Sequence, residues 1–387
     1  VKTQYAPIYL DYAAATPVAD FVINAMMPYM SSAFYNPSSS YLAAVNVRRE
    51  YEAAKRELAQ AFGAKGDELV MTAGATESIN LAFHQSHGHV VTTSIEHPAV
   101  LEAAKRHEHT LVGVDKKGRV QVDDVIAAVR SDTDFISVGL ANSELGTIQP
   151  IRRLAQAINI IKQKRREQGN TTPLLFHSDA SQGFGLIDIH VSRLGVDLLT
   201  LNAAKIYGPK QVGLLWIKPS VEMTADIVGG GQERGLRSGT ENVAGVIGFS
   251  VAAQRAAATQ KSESVRIGQL RDILQARLTE SFKTACVLGD VKHRLPSHLS
   301  MAFPGIDAER VIFMVEDNVL VATGSACSAN KHTASHVLRA IGLDEDYLGG
   351  SLRMTLGSGS NEASVERAAG ILIQAIQSEY SRIKDKK

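Results

Sequence analysis

Two hydrophobic rhythms alternate from about residue 47 to residue 217. In "REYEAAKRELAQAFG" apolar side chains recur every three or four positions and the pattern stops at Gly63, which predicts an amphipathic helix ended by glycine. "ESINLAFHQ", "PAVLEAAKRHE" and "IRRLAQAINIIKQKRREQ" predict further helices. Between them stand short apolar runs, in "DELVMTAGAT", "HVVTTS", "DFISVGLANSE" and "PLLFHSDASQ", which predict buried strands. Strands and helices in alternation predict an α/β chain with a mainly parallel sheet between helices. Ligands of such sheets bind at the carboxyl ends of the strands. The polar clusters "TAGATES", "SIEHP", "ANSELG" and "HSDASQG" all fall at those ends.

After about residue 260 the pattern changes. A helix over "ESVRIGQLRDILQARLTESFK" precedes "HLSMAFPG", a helix around "AERVIFMVED", the segment "VLVATGSACSA", the strand-like "SLRMTLG" and a last helix. This reads as a smaller α+β domain. A chain of 387 residues has room for two cores. The expected division is residues 16–260 for the large domain and 1–15 with 261–387 for the small one.

Composition narrows the function. With 44% hydrophobic and 21% charged residues the chain is neither disordered nor fibrous. A net charge of +1 removes the electrostatic reason to expect nucleic acid as the main ligand. No apolar run approaches the roughly 20 residues a membrane span needs, so no membrane partner is expected. The start "VKTQYAPIYLDYAAATP" lacks the basic-then-apolar pattern of a signal peptide, and a cytoplasmic location is expected. Two cysteines are too few for a disulfide framework and fit a reducing compartment.

Several residues could carry chemistry. In "LLTLNAAKIYGPKQVGLLWI" Lys205 stands between two runs that both read as buried. It is either a surface charge on a short turn or a reactive amine held inside. Gly74, Ala75 and Thr76 form a glycine turn at a helix start, where free N–H groups and the helix dipole suit a phosphate, although most such turns are only turns. The loop "GGGQERGLRSGT" adds Arg234, Arg237 and Thr240 without a Walker signature. Asp179 ends an apolar strand and is either a buried structural partner or a site carboxylate. His97 is either an ordinary helix-start histidine or a site residue. "HQSHGH" has metal-like spacing, but no second cluster supports it. Cys286 has apolar neighbours and reads as an inert core residue, whereas Cys327, in the small-residue segment "ATGSACSANKHTAS", is a candidate nucleophile.

These pieces occur together and in order. "IYLDYAAATP", "NPSS", "MTAGATESINLAF", "EHPAVLE", "NSELG", "HSDASQ", "AAKIYGPK", "GGGQERGLRSGT", "GSACSA", "HVLRAIG" and "SLRMTLG" run nearly end to end. The chain resembles the group I cysteine desulfurases, pyridoxal-phosphate enzymes of the class V aminotransferase family that supply sulfur for iron–sulfur clusters. The resemblance implies the pyridoxal-phosphate fold type I, and the length of the cysteine loop resembles group I, not group II. It implies covalent attachment of pyridoxal 5'-phosphate to Lys205, with Asp179 facing the ring nitrogen, His97 stacked on the ring and Gln182 on the ring hydroxyl. It places Ala75, Thr76, Asn142 and Asn202 at the cofactor, with Thr240 reaching the phosphate from a neighbouring subunit of a homodimer. Arg353 and Asn142 would bind the substrate, L-cysteine. Cys327 would take its sulfur as a persulfide and pass it to an acceptor or iron–sulfur scaffold protein.

Three positions depart from the family's pattern. Ala204 stands where most relatives have histidine, Asn202 where they have serine, and Ser143 where they have a second asparagine. Two competing readings therefore stay open. One is a selenocysteine lyase or related pyridoxal-phosphate lyase or aminotransferase, although the latter needs no Cys327. The other is a non-catalytic scaffold relative, against which Lys205, Asp179, His97, Cys327 and Arg353 all weigh.

Overall fold

The computed structural model describes residues 6–323 and 335–384. Its strands are β1 (Ile8–Tyr9), β2 (Leu69–Thr72), β3 (His89–Thr93), β4 (His109–Val112), β5 (Thr133–Ser137), β6 (Leu175–Asp179), β7 (Leu198–Asn202), β8 (Gly213–Ile217), β9 (Cys286–Leu288), β10 (His298–Ala302), β11 (Val319–Leu320), β12 (Ala322–Thr323) and β13 (Ser351–Thr355). Seven of them form one sheet in the order β2-β8-β7-β6-β5-β3-β4. All neighbours are parallel except β8, which runs antiparallel to both β2 and β7. Two reversals cancel, so β2 points the same way as β7. The carboxyl ends of β2, β3, β5, β6 and β7 therefore share one edge, which also holds Gly213 at the start of β8.

Side chains alternate across this sheet with the period of two that a strand imposes. Leu69, Met71, Val91, Ile136, Leu199, Leu201, Leu214 and Trp216 join one apolar core, and Val70, Val90, Phe135, Leu198, Leu215 and Ile217 join the core on the other face. Both faces are covered, which is why these strands read as unbroken apolar runs. β4 escaped the sequence reading for the converse reason. It is an edge strand, and only Val112 of its residues is fully buried.

A second, antiparallel sheet has the order β12-β13-β10-β9. Its core joins Leu299, Met301, Leu352 and Met354 to Leu270, Leu274 and Leu278 of one helix and to Val365, Leu372 and Ile376 of the last helix. Ile8 and Leu10 belong to this same core. The helix that supplies the leucines runs without a break from Val243 to Ser281 and crosses the expected boundary at residue 260. Its first half, "VAGVIGFSVAAQ", packs on helices Asp20–Ser31 and Leu42–Gln60, so it is apolar on more than one face and shows no clean helical period.

Gly213 ties this architecture to the edge where a site would sit. An added Cβ there would lie 2.6 Å from the carbonyl carbon of Gly74 and 2.7 Å from its Cα. Gly74 in turn has φ +138°, a conformation that glycine alone adopts freely. Gly213→Ala should push the Gly74 turn away from β8 and cost about 1–3 kcal/mol. Thermal unfolding of the variant should show a lower midpoint, and an unchanged midpoint would mean that the turn yields freely.

Candidate active site at the carboxyl edge of the sheet

The glycine turn after β2 opens helix Ala75–Phe83, so the N–H groups of Ala75 and its neighbours point out of the sheet edge. The turn is braced from two sides. Glu77 Oε2 accepts the Ala73 N–H (2.7 Å), while Glu77 Oε1 pairs with Arg237 Nε (2.7 Å). Arg237 thereby docks the glycine-rich loop over the turn, with Thr240 exposed three residues on. The base of that loop is held by buried Glu233. Its carboxylate accepts from Tyr51 Oη, from Lys55 Nζ at 2.9 Å and from the Met71 N–H at 2.8 Å. Thr76 is exposed at the helix start.

Lys205 closes a single 3₁₀ turn, Ala203–Lys205, directly after β7. Asn202 caps this turn, its Oδ1 accepting the Ala204 N–H at 3.1 Å. Lys205 is half-buried, and Nζ donates to the carbonyls of Ala13 and Ala14, both at 2.7 Å. Gln182 Nε2 donates to the same Ala13 carbonyl at 3.0 Å. The amine and the amide therefore converge on one point. Ala204 contributes through its backbone, since its carbonyl accepts from Thr16 N (3.2 Å) and Thr16 Oγ1 (3.0 Å).

Asp179, the last residue of β6, is half-buried and accepts the Ser181 N–H on Oδ1 at 2.9 Å. His97 caps helix Pro98–Ala104, with Nδ1 accepting the Ala99 N–H at 3.1 Å. That bond places the proton of the neutral ring on Nε2. His97 presents surface at the mouth of the site, yet the surrounding protein lowers its pKa by desolvation, against the pull of Asp179. Beneath it Glu96 is buried. Thr93 Oγ1 donates to its Oε1 (2.7 Å), and the Gly139 N–H lies 3.1 Å from both oxygens. Burial, with help from Asp179, pushes this carboxyl up to about 7. His336 Nε2 approaches the Glu96 carbonyl at 3.1 Å and so fastens helix His336–Ala340 to this segment. Asn142 is spent on structure, with Oδ1 accepting from Glu144 N and Leu145 N and Nδ2 donating to the Ile95 carbonyl. One N–H of its amide is left for a ligand.

Arg353 comes from β13 of the second sheet and is buried. Nη2 pairs with Asp11 Oδ1 at 2.7 Å, Nη1 makes a long bond of 3.4 Å to the Ser143 carbonyl, and Nε has no partner. Glu144 lies close by, accepting from Ser335 Oγ at 2.5 Å, and burial raises its carboxyl to about 7. A cavity of about 590 Å³ opens beside Lys205 and Gln182, with Tyr12, Tyr207 and Arg266 in its walls. Asp179, His97 and the Gly74 turn are not among its lining residues. Cys327 lies outside the described residues.

Of the closely spaced histidines, His89 is committed to the sheet. His89 spends both ring nitrogens on Thr133 and Thr110, bridging three strands. Cys286 is half-buried in β9, and burial raises its thiol pKa. Asp11, Glu96, Gly213 and Glu233 carry as much of the site's geometry as the residues singled out in the sequence. Only a carboxyl in an otherwise apolar stretch, such as Asp11 in "IYLDYAAATP", offers any signal in the chain itself.

A family model for aminotransferase class-V matches residues 8–367. The chain belongs to the aminotransferase class-V family. Among curated relatives, the cysteine desulfurase IscS of Anaeromyxobacter dehalogenans (strain 2CP-C) is 39% identical over 377 residues, covering 94% of this chain and 90% of that protein. A solved structure described as a NifS-like protein superposes with a TM-score of 0.86 at 30% identity, covering 96% of this chain and 99% of the other. Another, described as SspA in complex with cysteine, gives a TM-score of 0.78 at 32% identity over 90% and 98% of the two chains. Class-V enzymes of this kind depend on pyridoxal phosphate, and this class-V chain does too. The donor set fits that group. A primary amine, a carboxylate and a helix N-terminus with a positive-φ glycine stand on one sheet edge, matching an aldehyde, a pyridine nitrogen and a phosphate in turn.

Glu96 makes the class-V fold pH-dependent. A carboxyl lifted from 4.5 to about 7 on folding stabilises the fold most below about pH 4.5 and loses that contribution as pH rises through about 7. The full difference is about 3 kcal/mol. Denaturant titrations from pH 5 to pH 8 should show Glu96→Gln gaining on the parent as pH rises. A gap between the two that is constant with pH would mean that Glu96 does not titrate in this range.

Proposed function

We propose that this chain is a cysteine desulfurase. It takes the sulfur of L-cysteine, releases L-alanine and carries the sulfur on Cys327 as a persulfide for an acceptor protein, for iron–sulfur cluster assembly or another sulfur-transfer route. The observation that carries this reading is the meeting at one sheet edge of Lys205, Asp179 and the Gly74 turn, facing a guanidinium delivered by the other core. The cysteine desulfurase relatives and the cysteine-bound neighbour support the substrate.

Pyridoxal phosphate supplies an electron-accepting ring that weakens the bonds around the substrate's α-carbon. This chain's residues would do the rest. Lys205 Nζ attaches the group and moves protons. Asp179 holds the proton on the ring nitrogen, His97 covers the ring, and Gln182 reaches its hydroxyl. Ala75, Thr76 and Thr240 take the phosphate, with the NH2 end of Asn202 standing in for the imidazole that relatives place at position 204. Arg353 fixes the substrate carboxylate, and Asn142 can add its one uncommitted N–H. The Cys327 thiolate attacks the substrate sulfur, a sulfur–sulfur bond forms, and the electron pair of the broken carbon–sulfur bond returns to carbon and is protonated.

We read the chain as two domains, 16–260 and 1–15 with 261–387, a reading supported by the separate core of the second sheet. A homodimer is supported by the exposed apolar face of Ile23, Met27 and Met30 on helix Asp20–Ser31, with Phe21, Phe34 and Leu42 exposed as well. Among the described residues no helix is long and apolar enough to cross a membrane. We place the chain in the cytoplasm.

The deciding experiment measures L-cysteine-dependent alanine release and maps the persulfide by mass spectrometry. Cys327→Ser should keep the bound cofactor and its response to L-cysteine while sulfur transfer disappears. Transfer lost in Cys286→Ser instead would assign the wrong thiol. Arg353→Ala should raise the KM for L-cysteine by about 10- to 100-fold, the value of a hydrogen bond to a charged group, with cofactor content intact. Unchanged kcat/KM would remove Arg353 from the site.

A further inference from the structure

We infer that His298 is a specificity-determining residue for the substrate carboxylate, donating from Nε2 to the anion that Arg353 grips. This rests on the desulfurase reading above and adds to it a residue that the sequence did not single out.

In the antiparallel pair β10–β13, His298 lies opposite Thr355 and Ser300 opposite Arg353. Residues two apart on a strand share a face, so His298, Ser300, Arg353 and Thr355 all project to one side. Asp11, the ion-pair partner of Arg353, bridges to Thr355 on that side. His298 also lines the cavity beside Lys205 and Gln182. Both the amine that would hold the cofactor and the guanidinium that would hold the substrate lie near enough to act on the imidazole.

Two nitrogens on this face are buried and unpartnered, Arg353 Nε and His298 Nε2. A buried donor without an acceptor is costly, so two of them on neighbouring side chains call for a shared acceptor. A carboxylate offers about four lone-pair positions, and Asp11 occupies only Nη2 of the guanidinium. The ring is oriented for donation. Ser297 Oγ lies 2.9 Å from Nδ1, and a hydroxyl donating there leaves the ring proton on Nε2. Room for the ring is made by Gly146, at φ +74°, where an added Cβ would lie 2.4 Å from His298 Cβ. Burial, with Arg353, Arg294 and Lys205 nearby and against the pull of the Ser143 backbone carbonyl, lowers the His298 pKa to about 3. The ring stays neutral at working pH and adds a donor beside the guanidinium without adding a second cation.

The test titrates holoenzyme with L-cysteine and with cysteamine, which keeps the amine and thiol but lacks the carboxylate, reading cofactor absorbance. His298→Leu should raise the L-cysteine midpoint about tenfold or more, the loss expected for one hydrogen bond to a charged group. The cysteamine midpoint should not move. His298→Gln, which keeps an N–H donor, should recover part of the loss. Ser297→Ala, a smaller change that frees Nδ1, should shift the L-cysteine midpoint the same way by less. Equal shifts for both ligands would assign His298 a packing role, and an unmoved L-cysteine midpoint in all three variants would remove it from the site. A parent enzyme that ignores L-cysteine would instead overturn the desulfurase reading itself.

Discussion

The site depends on one stretch of backbone, Asp11 to Thr16, stretched between the two cores. At one end Asp11 pairs with Arg353 and the Ala13 N–H donates to Thr355 Oγ1 at 2.9 Å. At the other, Thr16 donates twice to the Ala204 carbonyl, and its hydroxyl accepts the Tyr207 N–H. In the middle the Ala13 and Ala14 carbonyls receive the Lys205 amine. Each bond alone is worth about 1 kcal/mol net. Together they fix the lysine, the arginine and the space between them to one rigid strap. The strap also explains the strained residue after the lysine. Tyr207 has φ +64°, and its hydroxyl accepts the Ser358 N–H at 2.7 Å from the second core. Contacts from both cores hold a backbone that an L residue seldom adopts.

Electrostatics follow from the same geometry. Polar groups at the carboxyl edge are buried by the second core, so each must find a partner or give up its charge. Glu233 is satisfied by pairing with Lys55 and taking a backbone N–H. Burial shifts Glu96 and Glu144 toward the neutral acid, with Asp179 adding to the shift at Glu96 and Arg353 opposing it at Glu144. His177, bridged to Ser137 and Thr200 within the sheet, is lowered to about 4 by burial and stays neutral. The ionisable groups gathered at the edge, Lys205, Asp179 and the Asp11–Arg353 pair, lie where an anionic cofactor and a zwitterionic substrate would meet them. A low local dielectric strengthens each of those encounters.

The large sheet was legible because its strands are covered on both faces and its helices on one. β6 and β7 appear in the chain as apolar runs ending in Asp179 and Asn202. The Gly74 turn was legible because only glycine serves there. β4 was not, since an edge strand carries little apolar signal, nor was the first half of helix Val243–Ser281, where contacts on several sides erase the helical period.

Local pattern and residue chemistry by themselves determined the α/β class, the edge at which the polar clusters gather, and Lys205, Asp179 and His97 as groups worth watching, while Arg353 entered only through the resemblance. Those features depend on neighbours a few residues apart, and so they are written in the chain. Only the tertiary structure decided that Asn142 is mostly consumed by its own loop, that Asp11 neutralises Arg353 and that Glu233 moors the glycine-rich loop. It alone left His298 Nε2 unpartnered beside Arg353. Those outcomes join residues tens to hundreds of positions apart, Asp11 and Arg353 among them. No local period encodes such a meeting, because it is fixed by how two separately built cores close on each other.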